Sequence, residues 1–205
     1  MTDRRRVILE SAARVIARRG VRGLRVTELA AEAGVSTALV YYHFRDRPGI
    51  LRHALAFIGD RADRYTETGR DGLPPGPAGD PRERLERLER MLLLEIQDLP
   101  EVRENSAAWG ELRAHAVFDP ELRDELAAAG AAWTAELAEL LGDVHPTAAA
   151  GAVTAAAERL TALLEGLSVR WLSGLTPPAH ARELLRAAVR VEAGRLAPEA
   201  VSRFD

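Results

Sequence analysis

The 205-residue chain contains no cysteine and no lysine. Without thiols, disulfides, thiol nucleophiles and thiolate metal sites are excluded. All 28 basic side chains are therefore arginine, as a GC-rich coding bias produces, and no special arginine chemistry follows from it. Aromatic residues are only 5% of the chain. No segment approaches the roughly 18 uninterrupted apolar residues of a membrane-spanning helix. Arg4, Arg5 and Arg6 are not followed by the apolar run of a signal peptide, so the cytoplasm is the expected compartment. The five histidines (43, 53, 115, 145 and 180) are scattered, with no His-Glu-x-x-His or comparable ligand spacing. The glycine-rich stretch at 69–81 lacks the lysine and strand context of a phosphate loop. The Glu136/Glu139 pair reads as a solvated helix face. No catalytic residue, metal or cofactor is therefore expected, and an enzyme is disfavoured.

What the chain does have is helix-forming residues and a split of charge. Apolar residues make up 47%, enough for a sizeable core, and alanine, leucine and arginine dominate, which favours helix. The overall charge is −3. Residues 1–55 hold 11 arginines against 5 acids, a balance of +6, so the remainder carries −9. A basic head on an acidic body suits a module that meets a polyanion with one end.

Within that head, Thr27 to Arg47 carries the most information. Thr27 and Ser36 are both good N-cap residues, and Gly34 between them tolerates the left-handed conformation that ends a helix. Leu29, Ala30, Ala33, Val35, Val40 and Phe44 form a small core across the turn. Thr37, Ala38, Tyr41, Tyr42 and His43 are left outside. Two short helices so joined are a helix-turn-helix, whose second helix can enter a DNA major groove. Hydroxyls and ring nitrogens on that helix can meet phosphates or base edges; packing of the two tyrosines against neighbouring helices is the alternative for either alone.

The stretch from about Arg4 to Ala56 resembles the DNA-binding domain of the tetracycline-repressor (TetR) family. Ile8, Ala12, Ala13, Gly20, Thr27, Leu29, Ala30, Ala33, Gly34, Val35, Ser36, Val40, Tyr41, His43, Phe44 and Leu51 carry the resemblance, and the Val-Ser-x-x-x-Val-Tyr-Tyr-His-Phe run is its most specific part. It implies an all-α homodimer of about nine helices per chain. A helix-turn-helix domain would span 1–46, and a ligand-binding and dimerisation domain 47–205. By the resemblance, Ser36, Thr37, Ala38 and Tyr41 approach bases, while Thr27, Tyr42, His43 and Arg47 touch phosphates. Arg47 stands where lysine is commoner, Ala38 replaces a frequent glycine, and Leu39 replaces a small polar residue. Pro48 falls in the first turn of the next helix, where its missing N–H costs little.

Further along, the spacing predicts helices over 2–19, 27–33, 37–44, 47–68, 82–99, 102–116, 120–141, 147–173 and 178–195. Eight of the thirteen residues in 69–81 are Gly or Pro, which predicts an exposed mobile loop. Val153, Ala157, Leu160, Leu164, Leu167 and Trp171 alternate at spacings of 4 and 3, a heptad seam. With Leu184, Leu185 and Ala188 on the last helix they could serve either the chain's own core or a four-helix dimer interface. The stretch Trp109–Leu196 resembles the C-terminal domain of BetI-type members, on Trp109, Asp119-Pro120-Glu121-Leu122-Arg123, Trp133 and Leu164-Glu165-Gly166-Leu167, and that resemblance implies the dimer.

The resemblance also implies a pocket for a small effector, with Met91, Glu95, Trp109, His115, Phe118, Trp133 and Glu165 as candidate linings. The resulting expectation is a repressor released from a palindromic operator by a small molecule. Two rivals remain: a helical ligand-binding or enzymatic protein with a vestigial head, and an activator or architectural DNA binder.

Overall fold

A computed structural model describes residues 3–67 and 80–197 of the chain. Among them every α-helix or 3-10 element is accounted for by α1 (Asp3–Arg19), a 3-10 turn (Val21–Gly23), α2 (Val26–Ala33), α3 (Thr37–Phe44), α4 (Arg47–Glu67), α5 (Pro81–Leu94), α6 (Pro100–Ala116), α7 (Pro120–Val144), α8 (Ala150–Leu172) and α9 (Pro178–Leu196). No strand occurs among the described residues. The all-α expectation holds. The mobile loop expected at 69–81 lies outside the described residues except for its end. There Asp80 and Pro81 are not loop: Asp80 caps α5 by accepting from the Arg82 N–H, and Pro81 is its first residue.

Two compact units emerge, and they do not divide at residue 46. One comprises residues 1–65 and 97–131; the other comprises 66–96 and 132–205. The first joins α6 and the start of α7 to the head because α1 packs on both α2 and α6. Ile8, Ala12 and Ile16 of α1 share a fully buried cluster with Leu29, Val40, Leu51, Ile58 and Leu112. Small residues on the facing helices, Ala12 and Ala108, are both wholly buried, which lets helices approach closely. Polar ties reinforce this unit. The Asn105 side-chain amide donates to the Ile58 carbonyl at 3.1 Å, and Arg61 bridges to Glu104 at 2.8 Å.

In the second unit α9 packs on α5 and α8. The heptad residues Val153, Ala157, Leu160, Leu164, Leu167 and Trp171 are all buried inside this one chain, as is Leu185. They serve the chain's own core, where α9 packs beside α8. Leu184 is exposed and Ala188 half-buried, so only these two of the expected interface remain on the surface. Arg159 on α8 grips Glu192 on α9 through two hydrogen bonds of 3.1 and 2.6 Å. Glu89 on α5 receives Arg186 at 2.6 Å.

Helix ends explain the remaining differences. α5 stops at Leu94 rather than near Leu99, closed by the Glu95 and Ile96 N–H groups turning back onto the Leu92 and Leu93 carbonyls. Pro100 holds Leu99 in extended backbone (φ −104°, ψ 139°) and opens α6 as its first residue. Arg182 donates to the Leu93 and Ile96 carbonyls, satisfying acceptors that a helix end leaves open. α8 begins at Ala150 rather than Thr147, since Ala148 turns back onto the His145 carbonyl.

Candidate nucleic-acid interface

The helix-turn-helix is built as the sequence predicts at its turn and differently at its start. Gly34 adopts the left-handed conformation (φ 64°, ψ 36°), and its N–H faces the Ala30 and Ala31 carbonyls. The Ser36 hydroxyl accepts from the Leu39 N–H at 3.2 Å, capping α3. Thr27 is not a cap. α2 begins one residue before it, with Arg25 in the N-cap position and no side-chain cap. The hydrophobic run supplies the reason: Val26 packs against the core and draws the helix start back.

α3 is two-faced. Val40 and Phe44 are buried, whereas Tyr41 is 48% and Tyr42 80% exposed. Ser36, Thr37 and Ala38 are exposed too, Leu39 and His43 half-buried. The tyrosines are therefore not packed away, and five candidate base- or phosphate-contacting residues, with Thr27 as a sixth, stand in solvent. Behind them Phe44 is fixed by the His53 ring (centroids 5.5 Å apart) and by the Arg5 guanidinium 5.7 Å from its own ring centroid.

Arg47 is engaged within the chain. It is half-buried, and its guanidinium donates to the carbonyls of Val21 at 2.6 Å and Leu24 at 3.3 Å. It ties the start of α4 to the 3-10 turn. From the other side the Glu111 carboxylate of α6 accepts from the Val21 N–H at 3.3 Å. The turn is thus held at both polar ends. Gly20 enters it at φ 71°, ψ 171°, a region open essentially to glycine alone.

The head's other arginines divide sharply. Arg6 pairs with Glu10 at 2.7 Å, Arg14 and Arg18 with Glu32 at 3.0 and 2.7 Å, Arg19 with Glu28 at 2.6 Å, and Arg52 with Glu121 at 2.9 Å. Hydrogen bonds from Arg18 and then Arg14 hold the Glu32 carboxyl below its usual range. Glu10, Glu28 and Glu32 are already counted in the +6, and Glu121 lies outside residues 1–55; what the count does not reveal is which arginines these acids occupy.

The proposed pocket residues do not gather in one unit. Trp109, His115 and Phe118 belong to the first, Met91, Glu95, Trp133 and Glu165 to the second. Phe118 is 79% exposed just beyond α6. Trp109 packs on the head's core, and His115 lies 3.6 Å from Asp119. Met91 is buried in the second unit, while Glu95 forms the C-cap of α5. Trp133 and Glu165 are half-buried. No group of three or more metal-ligating side chains lies among the described residues.

A short capped helix with one face buried and an exposed Tyr-Tyr face, set on a three-helix support, defines a helix-turn-helix DNA-binding regulator. Comparison with known proteins agrees along the chain. Residues 8–54 match the family of bacterial regulatory proteins of the tetR type, and residues 81–194 match the C-terminal region of BetI-type transcriptional repressors. The chain belongs to the TetR family and is a transcriptional regulator of the repressor type, not an enzyme. It is 27% identical over 176 residues to the HTH-type transcriptional regulator BetI of Brucella abortus (strain 2308), covering 85% of this chain and 83% of that protein. A TetR-family transcriptional regulator from Rhodococcus sp. superposes with a TM-score of 0.82 at 45% identity, over 94% of this chain and 100% of that one. A transcriptional regulator from Saccharomonospora viridis, solved in complex with choline, gives 0.74 at 28% identity over 91% and 95%.

Proposed function

We propose that the protein is a homodimeric cytoplasmic repressor that leaves a palindromic operator when a small molecule binds its C-terminal region. The single observation carrying the DNA reading is the exposure of Tyr42 and Tyr41 on a helix whose opposite side is buried. Ser36, Thr37, Ala38 and Tyr41 face base edges; Thr27, Tyr42 and His43 face the flanking phosphates. Residues 1–46 serve DNA binding, and 47–205 serve ligand binding and dimerisation.

The dimer surface is the side of α8 and α9 turned from the core. Leu184, Ala188 and Val191 follow one another at spacings of 4 and 3, and Leu184 is 42% and Val191 53% exposed. Ala155, Ala162, Gly166 and Val169 share one face of α8, and their small side chains suit close helix approach. A dimer carries two α3 helices, which suits a two-fold-symmetric operator.

The effector class to test first is a small organic cation, because a 28%-identical regulator was solved with choline. Trp133 and Glu165 supply an aromatic face and an acid, which suit such a cation. Release works by population shift: the effector must prefer the conformation that does not bind DNA. DNase footprinting on the region upstream of the protein's own gene tests this reading. A protected two-fold-symmetric site that fades with choline or a related cation supports it. Protection that no small molecule disturbs removes the effector, and absence of protection at low salt removes the operator.

A further inference from the structure

Of the eleven arginines in residues 1–55, those at 6, 14, 18, 19 and 52 face carboxylates and Arg47 is bound to main-chain carbonyls. Arg5 lies over the Phe44 ring, and Arg4 stands in the first turn of α1. The side chains of Arg4, Arg22, Arg25 and Arg45 have no acid, carbonyl or ring partner among the described residues, and all four are exposed. Three of the four stand at the ends of the helix-turn-helix. Arg22 lies in the 3-10 turn, Arg25 immediately precedes α2, and Arg45 immediately follows α3. They bracket the helix-turn-helix at its entry and its exit.

Arg45 also sits in a conformation that an L-residue rarely adopts. Its φ is 64° and ψ −56°, and the Asp46 N–H closes onto the Phe44 carbonyl at 2.7 Å. This is a γ-turn of the strained hand. It is the one non-glycine residue with positive φ among the described residues. The turn needs help from a neighbour: a Cβ on Gly49 would lie 2.2 Å from the same Phe44 carbonyl oxygen. Strain of this kind persists where the surroundings over-determine it and clusters at functional positions. Here it carries an unpaired cation at the end of the recognition helix.

We propose that Arg22, Arg25 and Arg45, and not Arg47, are the cations that hold backbone phosphates of duplex DNA on either side of α3. This rests on the DNA-binding reading above. An arginine already paired with a carboxylate gives up that partner on reaching a phosphate, so it adds little net counterion release. An unpaired one releases its full share, roughly 0.9 in the slope of log affinity against log salt for each phosphate neutralised. Arg47 is a positioning residue, which fixes the 3-10 turn that carries Arg22 and the Leu24 carbonyl that precedes Arg25.

The test uses the full-length protein and a mixed-sequence 30-base-pair duplex, since the electrostatic part of binding is independent of sequence. Fluorescence anisotropy across a salt series gives the slope. The R22A/R25A/R45A variant is expected to lose roughly two to three in slope per bound subunit. R14A/R18A removes as much charge as R22A/R25A, and is expected to leave the slope near that of wild type. R47A is expected to lower the melting temperature but keep the slope. R45G is expected to melt no lower than wild type, since glycine accepts the turn, yet to lose slope as R45A does. A triple variant with the wild-type slope, or an R47A variant whose slope alone flattens, overturns the proposal while the regulator reading stands. If the wild type shows no salt-dependent duplex binding, both fall.

Discussion

The Arg47 guanidinium donates to the Val21 carbonyl at 2.6 Å, while the N–H of the same Val21 reaches Glu111. One residue of the 3-10 turn is thereby held by α4 and by α6. Replacing Arg47 with alanine removes the side-chain donor from the Leu24 carbonyl and one of the two donors on the Val21 carbonyl, which keeps the Leu24 N–H at 3.1 Å. A hydrogen bond to a charged group contributes about 1.5–3 kcal/mol. Arg47→Ala should therefore lower stability by about that amount in a urea or thermal melt. Arg47→Lys, which keeps charge but not the fork of donors, should recover only part of it.

The corner between α3 and α4 depends on Gly49. A methyl group there would collide with the Phe44 carbonyl, which is main chain and cannot rotate away. Gly49→Ala should destabilise by about 1–3 kcal/mol, as overpacking does. It should also weaken DNA binding more than the stability loss alone explains, because the displaced Phe44 sits at the end of α3. Comparing melting curves with duplex affinity at a temperature where the variant is fully folded separates the two effects.

These two sites show what the sequence could and could not disclose. Gly34, Ser36 and the apolar spacing of α2 and α3 are local signals, and they were legible as a helix-turn-helix. The role of Arg47 was not. Its partners are carbonyls more than twenty residues away, and a carbonyl has no signature in sequence. The heptad on α8 was legible as a buried stripe, but a stripe does not say whether its partner is α9 of the same chain or a second copy. Thr27 misled because its cap propensity was weighed without the pull of Val26 on the helix start. Arg45 gave no warning, since nothing about arginine announces a positive φ.

Acid should weaken the fold in two stages. Burial lowers the His145 pKa from its ordinary 6.5. A base whose folded pKa is depressed contributes stability that is present above its unfolded value and lost as pH falls towards the folded one. The first loss should therefore begin below pH 6.5. Glu192, held down mainly by the Arg159 hydrogen bonds, and Glu32, held down by Arg18 and Arg14, start from 4.5. Their contribution is present above that value and lost below it. In melts taken from pH 8 to pH 3, His145→Gln should abolish the first loss and leave the second. Glu192→Gln should shrink the second.

Core and interface should separate on α8 and α9. Leu164 is buried in the chain's own core, so Leu164→Ala should cost about 2–5 kcal/mol. Leu184 and Val191 are exposed, so Leu184→Glu with Val191→Glu should leave the helical spectrum intact. Sedimentation should nevertheless show that double variant as a monomer where the wild type is a dimer. A dimer that survives both changes would place the interface elsewhere.

The central claim is that the exposed face of α3 reads duplex DNA. The most direct test is selection by the wild-type protein from a pool of random duplexes, followed by sequencing. The account predicts enrichment of a two-fold-symmetric sequence that Tyr41→Ala relaxes at specific positions in each half-site. A pool that stays random after repeated rounds, or an enriched site that Thr37→Ala and Tyr41→Ala leave unchanged, would contradict it.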